Sequence, residues 1–179
     1  MTLRAGTHRV GPANGTLQVH TYREGVAQKA GHDLIIEVAR WEATAEVSEG
    51  GALSAVRLTA DPRSLEVREG LRGIKPLTDR DRADIGKRID ETILLGRPIA
   101  FGSTAVETAD GRLTVRGQLE LAGARRPVSF ELDATADGRL SGTLPVTQSE
   151  WEIKPYRGLM GALKVRDSVE VVLAVELAS

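Results

Sequence analysis

The three histidines, His8, His20 and His32, are the side chains of this sequence best suited to acid–base or metal chemistry near neutral pH. His32 precedes Asp33 in the stretch GHDL at 31–34. A histidine beside a carboxylate suggests a proton relay or a metal ligand. Adjacent strand residues point to opposite faces, however, so these two side chains would not share a site. His20 could approach His32 across a hairpin, but two histidines alone make a weak metal site. The prediction is a structural or cavity-mouth role for His32.

Other signatures of catalysis or cofactor binding are absent from the sequence. There is no Gly-X-Ser-X-Gly nucleophile elbow, and the lack of cysteine excludes disulfides and thiolate metal sites. The stretch GLRGIK at 70–75 lacks the spacing of a phosphate loop. It could nevertheless place basic side chains near an anionic head group. We therefore predict no catalytic residue, metal or cofactor, and a polar cavity mouth formed by His32, Arg72, Lys75 and Tyr156.

Short stretches that alternate apolar and polar residues account for most of the chain. The clearest runs from Leu113 to Leu121, and such alternation indicates strands with one buried and one solvated face. Asp-Gly pairs at 110–111 and 137–138 are hairpin signals. With 179 residues the chain is long enough for one domain with a substantial core. The pattern predicts a mainly β domain over 1–179, an antiparallel sheet closed into a barrel or a sandwich.

One segment has helical periodicity instead. From Thr78 onward, isoleucines at 85, 89 and 93 recur at helical spacing. Thr78 or Asp79 can cap the start, and the Gly-Arg-Pro stretch at 96–98 ends the pattern. We predict one helix over about 79–94, packed outside the sheet or over one end.

Composition excludes several classes of partner. The net charge is −1 with 27% charged residues, and the basic residues are dispersed among acidic ones, so no nucleic-acid partner is predicted. No apolar run approaches the length of a membrane span, and residues 1–14 lack the apolar core of a secretory signal. The expected location is therefore cytoplasmic, without an integral membrane segment, and a homodimer is left open.

The inward face of the strands is expected to line an apolar cavity, because many of its side chains are small or aliphatic. An eight-stranded barrel has an interior wide enough for one small ligand. The predicted lining residues are Val19, Leu34, Ile36, Ala43, Ala45, Val115, Gly117, Leu119, Phe130, Leu132, Leu144, Val171 and Leu173.

Three segments resemble the YceI-like family of lipocalin-like barrels, which are associated with polyisoprenoid binding. They are 94–107 with the stretch RPIAFGSTAV, 113–132 with VRGQLEL followed by RRPV, and the closing strand from Asp167. The resemblance implies an antiparallel eight-stranded lipocalin-like barrel and an isoprenoid or other long-chain lipid as partner. It supplies no catalytic signature.

Three functions follow as hypotheses. The first is non-catalytic binding, transport or storage of an amphiphilic lipid, such as a polyprenyl phosphate or quinone, in the apolar interior. The second is a packed barrel that acts through a protein partner in a stress response. The third is an enzyme that uses His32 with a nearby acid.

Overall fold

The computed structural model describes residues 3–177 of the chain. Its strands are β1 (Gly6–Val10), β2 (Gly15–Thr21), β3 (Arg23–Glu24), β4 (Asp33–Val38), β5 (Trp41–Val47), β6 (Leu53–Ala60), β7 (Leu65–Leu71), β8 (Ile99–Ala109), β9 (Arg112–Leu121), β10 (Ala124–Ala134), β11 (Arg139–Thr147), β12 (Arg157–Gly158), β13 (Leu163–Val165) and β14 (Ser168–Glu176). Eleven of them form one antiparallel sheet in the order β1-β5-β6-β8-β9-β10-β11-β14-β2-β4-β7. The short strands β12, β13 and β3 form a second sheet.

The strand count corrects the prediction of eight strands. Two long ribbons are each interrupted once, at Ala39–Arg40 between β4 and β5 and at 61–64 between β6 and β7. The interruptions face each other, since Ala39 N–H donates to the Ser64 carbonyl at 2.8 Å and Asp61 N–H donates to the Arg40 carbonyl at 2.9 Å. β1 is a further, unpredicted strand on β5. Because β4 pairs with β7 and β5 pairs with β6, the sheet curls back on itself.

A closely packed apolar layer fills one part of this curled sheet, and we call it the floor. One alternating face of β5 contributes Trp41, Ala43, Ala45 and Val47, all at most 6% exposed. Its other members include Val10, Leu53, Leu113, Val115, Leu140, Val175 and Leu177. A second buried cluster comprises Leu119, Ala122, Val146, Trp151, Ile153 and Val169.

The predicted helix is present, but its second half has a different geometry. Helix α1 (Asp79–Arg88) continues directly into a π-helical segment, Ile89–Leu94. Thr78 caps α1 in a capping box, since its hydroxyl accepts from Asp81 N–H while the Asp81 carboxylate accepts from Thr78 N–H. These bonds hold the pKa of Asp81 below its usual value. Helix α1 packs against β7 and buries none of its own residues, whereas Leu94 is buried.

The hairpin turn between β9 and β10 precedes the stretch RRP at 125–127. Although proline is typical of turns, this stretch belongs to β10 and pairs with 118–120 of β9. The turn is formed by Ala122 and Gly123, both with positive φ, of 51° and 84°. Two successive left-handed residues match the twist of a two-residue hairpin, so the short Ala-Gly pair carries the turn.

Candidate functional site

An apolar cavity of about 230 Å³ lies inside the curled sheet. Strands β2, β4, β6 to β11 and β14 supply its wall, the π-helical segment supplies part of its cover, and Gln148 and Ile153 come from the segment after β11. A single water needs only about 10–15 Å³ measured in this way. The space is therefore large enough for an organic ligand.

The structure places eight of the predicted lining residues on this wall. They belong to six strands that are consecutive in the sheet, in the order β9, β10, β11, β14, β2 and β4. They are Val19, Ile36, Leu119, Phe130, Leu132, Leu144, Val171 and Leu173.

The five other predicted lining residues lie away from the wall. Ala43, Ala45 and Val115 face inward as expected, but they belong to the floor, where larger neighbours fill the space beside them. A Cβ on Gly117 would overlap the Gly102 carbonyl oxygen and lie 2.6 Å from the Phe101 ring. That ring therefore occupies the room that the missing side chain leaves.

Leu34 is on the same alternating face as Ile36 but lies near the start of β4. The register shift between Ile35 and Ile36 is a bulge in β7, where Arg68 is the extra residue, so β4 itself keeps its alternation. Leu34 pairs with Thr21, the last residue of β2, and does not line the cavity.

The residues that cover the cavity were not predicted to line it, because they belong to the π-helical segment and not to the strands. Ile89, Ile93 and Leu94 line the cavity from the π-helical segment. The helical spacing of the two isoleucines predicted an apolar helix face, but period and composition did not indicate what that face would cover. A π-helical segment within a helix frequently marks a functional position.

Two polar side chains, Thr21 and Gln148, belong to the otherwise apolar wall. Thr21 ends β2, and its Oγ1 is buried without a hydrogen-bond partner among the described residues. Gln148 is 9% exposed and its Nε2 donates to the Arg166 carbonyl at 3.0 Å. Neither residue was predicted from the sequence, where a threonine at a strand end and a glutamine in a loop carry no distinguishing signal. Both are uncharged, so the wall offers hydrogen bonds without fixed charge.

None of the four predicted mouth residues lines the cavity. His32 Nε2 donates to the Lys75 carbonyl at 2.5 Å, and Arg72 Nη1 lies 3.5 Å from Asp33 Oδ2. Tyr156 lies under the Arg88 guanidinium, whose carbon is 4.9 Å from the ring centre. The first three residues are thus brought together, whereas Tyr156 belongs to a separate contact with helix α1.

The arrangement around Asp33 gives the GHDL stretch a structural role. Asp33 is 7% exposed, and its Oδ1 accepts the backbone N–H of Arg23 at 2.8 Å. The Arg23 guanidinium in turn donates to the Gly31 carbonyl at 3.1 Å. These bonds fix the segment between β2 and β4. His20 is engaged elsewhere, with its Nε2 3.0 Å from Gln18 Oε1.

The surroundings of Tyr22 raise the pKa of its phenol. Burial raises it first, and the Glu170 carboxylate, which accepts a hydrogen bond from the phenol, raises it further. The neighbouring Arg166 guanidinium opposes this effect. Tyr22 therefore stays neutral at physiological pH and acts as a donor.

Residues 3–177 contain no group of three or more His, Asp or Glu side chains placed to hold a metal ion. None of the helices in that range is long and apolar enough to cross a membrane. The cytoplasmic location and the homodimer stay predictions.

The family model of the YceI-like domain matches residues 18–177. The chain belongs to the YceI-like family. The matched range begins in β2 and ends just after β14, so it includes every wall residue of the cavity except Leu17. No curated protein matches the chain.

Solved structures share the fold of this YceI-like domain at low sequence identity. BcnA of Burkholderia cenocepacia is 14% identical with a TM-score of 0.68, over 95% of this chain and 99% of that chain. The YceI protein of Campylobacter jejuni is 10% identical with a TM-score of 0.56, over 80% of this chain and 84% of that chain. A mutant CJ YceI protein with a monobromobimane guest has a TM-score of 0.59 at 10% identity, with the same coverage.

Proposed function

We propose that this protein binds an amphiphilic lipid, without catalysis, in the cavity of its curled sheet. The ligand class is an isoprenoid, either a polyprenyl phosphate or a prenylated quinone, held for transport or storage. The family resemblance implies this ligand class. The observation that carries the proposal is the cavity itself, whose wall is aliphatic and aromatic apart from Thr21 and Gln148.

The chemistry of the wall suits a branched hydrocarbon chain. Burial of each CH₂ group contributes about 0.8 kcal/mol, so each five-carbon isoprene unit contributes several kcal/mol before the cost of ordering the chain. Phe101 and Phe130, in edge-to-face contact at 5.5 Å, form the aromatic part of the wall. Binding of this kind needs shape and apolar surface rather than many polar contacts.

The polar end of such a ligand has two possible partners. A neutral quinone or hydroxyl oxygen would accept or donate hydrogen bonds at Thr21 and Gln148. A phosphate would instead have to extend from the cavity toward basic side chains such as Arg72 and Lys75. The wall has no charged side chain to compensate a buried phosphate.

The two alternative functions gain less support from the structure. A packed barrel acting through a protein partner does not account for a cavity of this size. An enzyme based on His32 would need that imidazole near a substrate space, but its Nε2 is bonded to the Lys75 carbonyl and the residue does not line the cavity.

A pair of substitutions on one strand tests the proposal. Ala60 faces the cavity from β6, whereas Ala55 on the same strand pairs with exposed Glu46 on the outer face. Ala60→Phe is expected to occupy ligand space and weaken binding of geranylgeraniol and of a short prenylated quinone at least tenfold. Ala55→Phe adds the same ring outside and is expected to leave affinity unchanged.

Binding is measured by calorimetry on delipidated protein, with unfolding midpoints as a check that both variants fold. Equal affinity of Ala60→Phe and the unsubstituted protein would contradict the proposed site. So would failure of the unsubstituted protein to bind either ligand.

A further inference from the structure

Three segments at one end of the sheet form a single surface, which we call the loop surface. They are residues 22–32, 71–77 and 154–166. Backbone hydrogen bonds join them, from Ala27 N–H to the Ala162 carbonyl at 2.8 Å and from Ile74 N–H to the Lys29 carbonyl at 3.2 Å. The pairing of β13 with β3 adds a further connection.

The loop surface exposes large apolar side chains. Val26 is 96% exposed, Ile74 73%, Leu159 61% and Met160 106%. Leu159 and Met160 also have positive φ angles, of 48° and 53°, a backbone conformation that is unfavourable for such residues. Apolar side chains held outward at several loop tips indicate an interaction surface rather than chance exposure.

The loop surface is strongly basic although the whole chain has a net charge of −1. Its three segments contain eight Lys and Arg residues and one acidic residue, Glu24, which gives a net charge of +7. Lys29, Lys75, Lys154 and Arg157 are exposed and form no ion pair within residues 3–177. Their charges are therefore available to an anionic partner.

The loop surface adjoins the end of the cavity. Thr21, on the cavity wall, is followed directly by the first of the three segments, and Ile153, also on the wall, directly precedes the third. A partner bound to this surface would lie beside the part of the cavity that contains its polar side chains.

We propose that the loop surface docks onto the anionic face of a lipid bilayer. The exposed apolar tips would insert among the lipid chains, and the surrounding lysines and arginines would lie at the phosphate groups. Each basic side chain near an anionic membrane surface strengthens binding about fivefold, and stable peripheral attachment needs an apolar anchor together with a basic patch. Separate apolar tips within a basic rim fit a bilayer better than the flat surface of an acidic protein, and a bilayer is where a long-chain lipid would be collected.

Vesicle sedimentation tests this proposal without any prenyl lipid, so its result is independent of the cavity's ligand. The protein is expected to bind vesicles containing 30% phosphatidylglycerol and to bind pure phosphatidylcholine at least tenfold more weakly. The double variant Lys29→Glu with Lys75→Glu is expected to lose at least tenfold in affinity for the anionic vesicles, by the charge contribution above. The matched control Arg9→Glu with Arg57→Glu makes the same charge change on β1 and β6 and is expected to bind more tightly than the loop variant.

The apolar part of the proposal has its own variant. Val26→Ser with Met160→Asn removes two exposed tips, and asparagine tolerates the positive φ at 160. This variant is expected to bind anionic vesicles several-fold more weakly in high salt, where only insertion of apolar groups resists screening. Absence of vesicle binding by the unsubstituted protein, or equal losses in the loop variant and the Arg9/Arg57 control, would overturn the proposal. Retention on an acidic protein without vesicle binding would point to a protein partner and overturn it as well.

Discussion

Under the proposed function, the buried hydroxyl of Thr21 lowers the stability of the ligand-free protein but strengthens binding of a ligand. Its hydroxyl oxygen is buried in the cavity wall without a hydrogen-bond partner among the described residues. A buried polar group left in that state costs about 1–3 kcal/mol. Under the proposed function this cost is recovered when the polar end of a ligand meets the hydroxyl.

Thr21→Val replaces the hydroxyl with a methyl group of similar size. We expect ligand-free Thr21→Val to be about 1 kcal/mol more stable than the unsubstituted protein, with a higher urea midpoint and an unchanged m value. We also expect weaker binding of a prenyl alcohol or quinone, with binding of a pure hydrocarbon unchanged.

Thr59→Val is the control for this change, because Thr59 is exposed on the outer face of β6. It should alter neither stability nor affinity appreciably. A loss of stability in Thr21→Val, or no change in its affinity for oxygen-bearing ligands, would contradict the role assigned to the hydroxyl.

The residue pattern predicted which face of a strand is buried better than it predicted whether an inward side chain lines the cavity or packs in the floor. Alternation identified inward positions on β5, β9 and β14, and eight of the predicted residues do reach the cavity wall. It could not separate the wall from the floor, because Ala43 and Ala45 on β5 face inward like their cross-strand partners Leu58 and Val56 on β6, and only the β6 residues line the cavity. Whether an inward residue lines the cavity depends on the size of the side chains packed opposite it. Those side chains come from distant parts of the chain, so a local pattern does not reveal them.

At the scale of elements, helix α1 and the π-helical segment play different parts. The π-helical segment contributes cavity-lining side chains and the buried Leu94, whereas α1 buries none of its ten residues. Helix α1 is held by its capping box, its contacts with β7 and its connection to the π-helical segment. Elements with few buried apolar contacts open most easily, so we expect α1 to open before the strands of the sheet.

Amide hydrogen exchange tests this difference in local stability. In the delipidated protein, amides of 82–88 are expected to exchange at least tenfold faster than those of β9 and β14. A bound prenyl lipid that contacts Ile89 and Ile93 should slow exchange in 89–94 first, because those residues line the cavity.

The reference in this experiment is β1, which lies on β5 and contributes no cavity-lining residue. Its exchange should not respond to the ligand. Equal slowing of β1 and of 89–94 would indicate general stabilisation rather than contact with the cover.

The elements themselves were largely predictable, and Pro62 indicates the break after β6, but the way in which the two interruptions meet was not predictable. The capping residue Thr78, the helix range and most strand bounds follow from local chemistry. The corner at Ala39–Arg40 and 61–64 depends on hydrogen bonds between two distant stretches of chain, among them Arg40 N–H to Ser64 Oγ at 3.0 Å. No local pattern encodes such a pairing. The two interruptions and the unpredicted strand β1 together account for eleven strands in place of the expected eight.

At the scale of the whole molecule, the protein combines an uncharged interior with an uneven surface charge. The interior is an apolar cavity whose polar groups are two neutral side chains, and the loop surface beside it carries a net charge of +7 within a chain of net charge −1. Under the two proposals, the charged end attracts an anionic surface and the interior accepts hydrocarbon. Together these properties suit a protein that exchanges a lipid with a membrane.

Native mass spectrometry of the freshly purified protein, followed by organic extraction and identification of the extracted lipid, tests the central claim most directly. We expect one bound molecule per chain with the mass of a prenyl lipid, and its loss in Ala60→Phe but not in Ala55→Phe. A ligand-free mass that persists after prenyl alcohols, quinones and polyprenyl phosphates are added back would contradict the claim that the cavity is a lipid site.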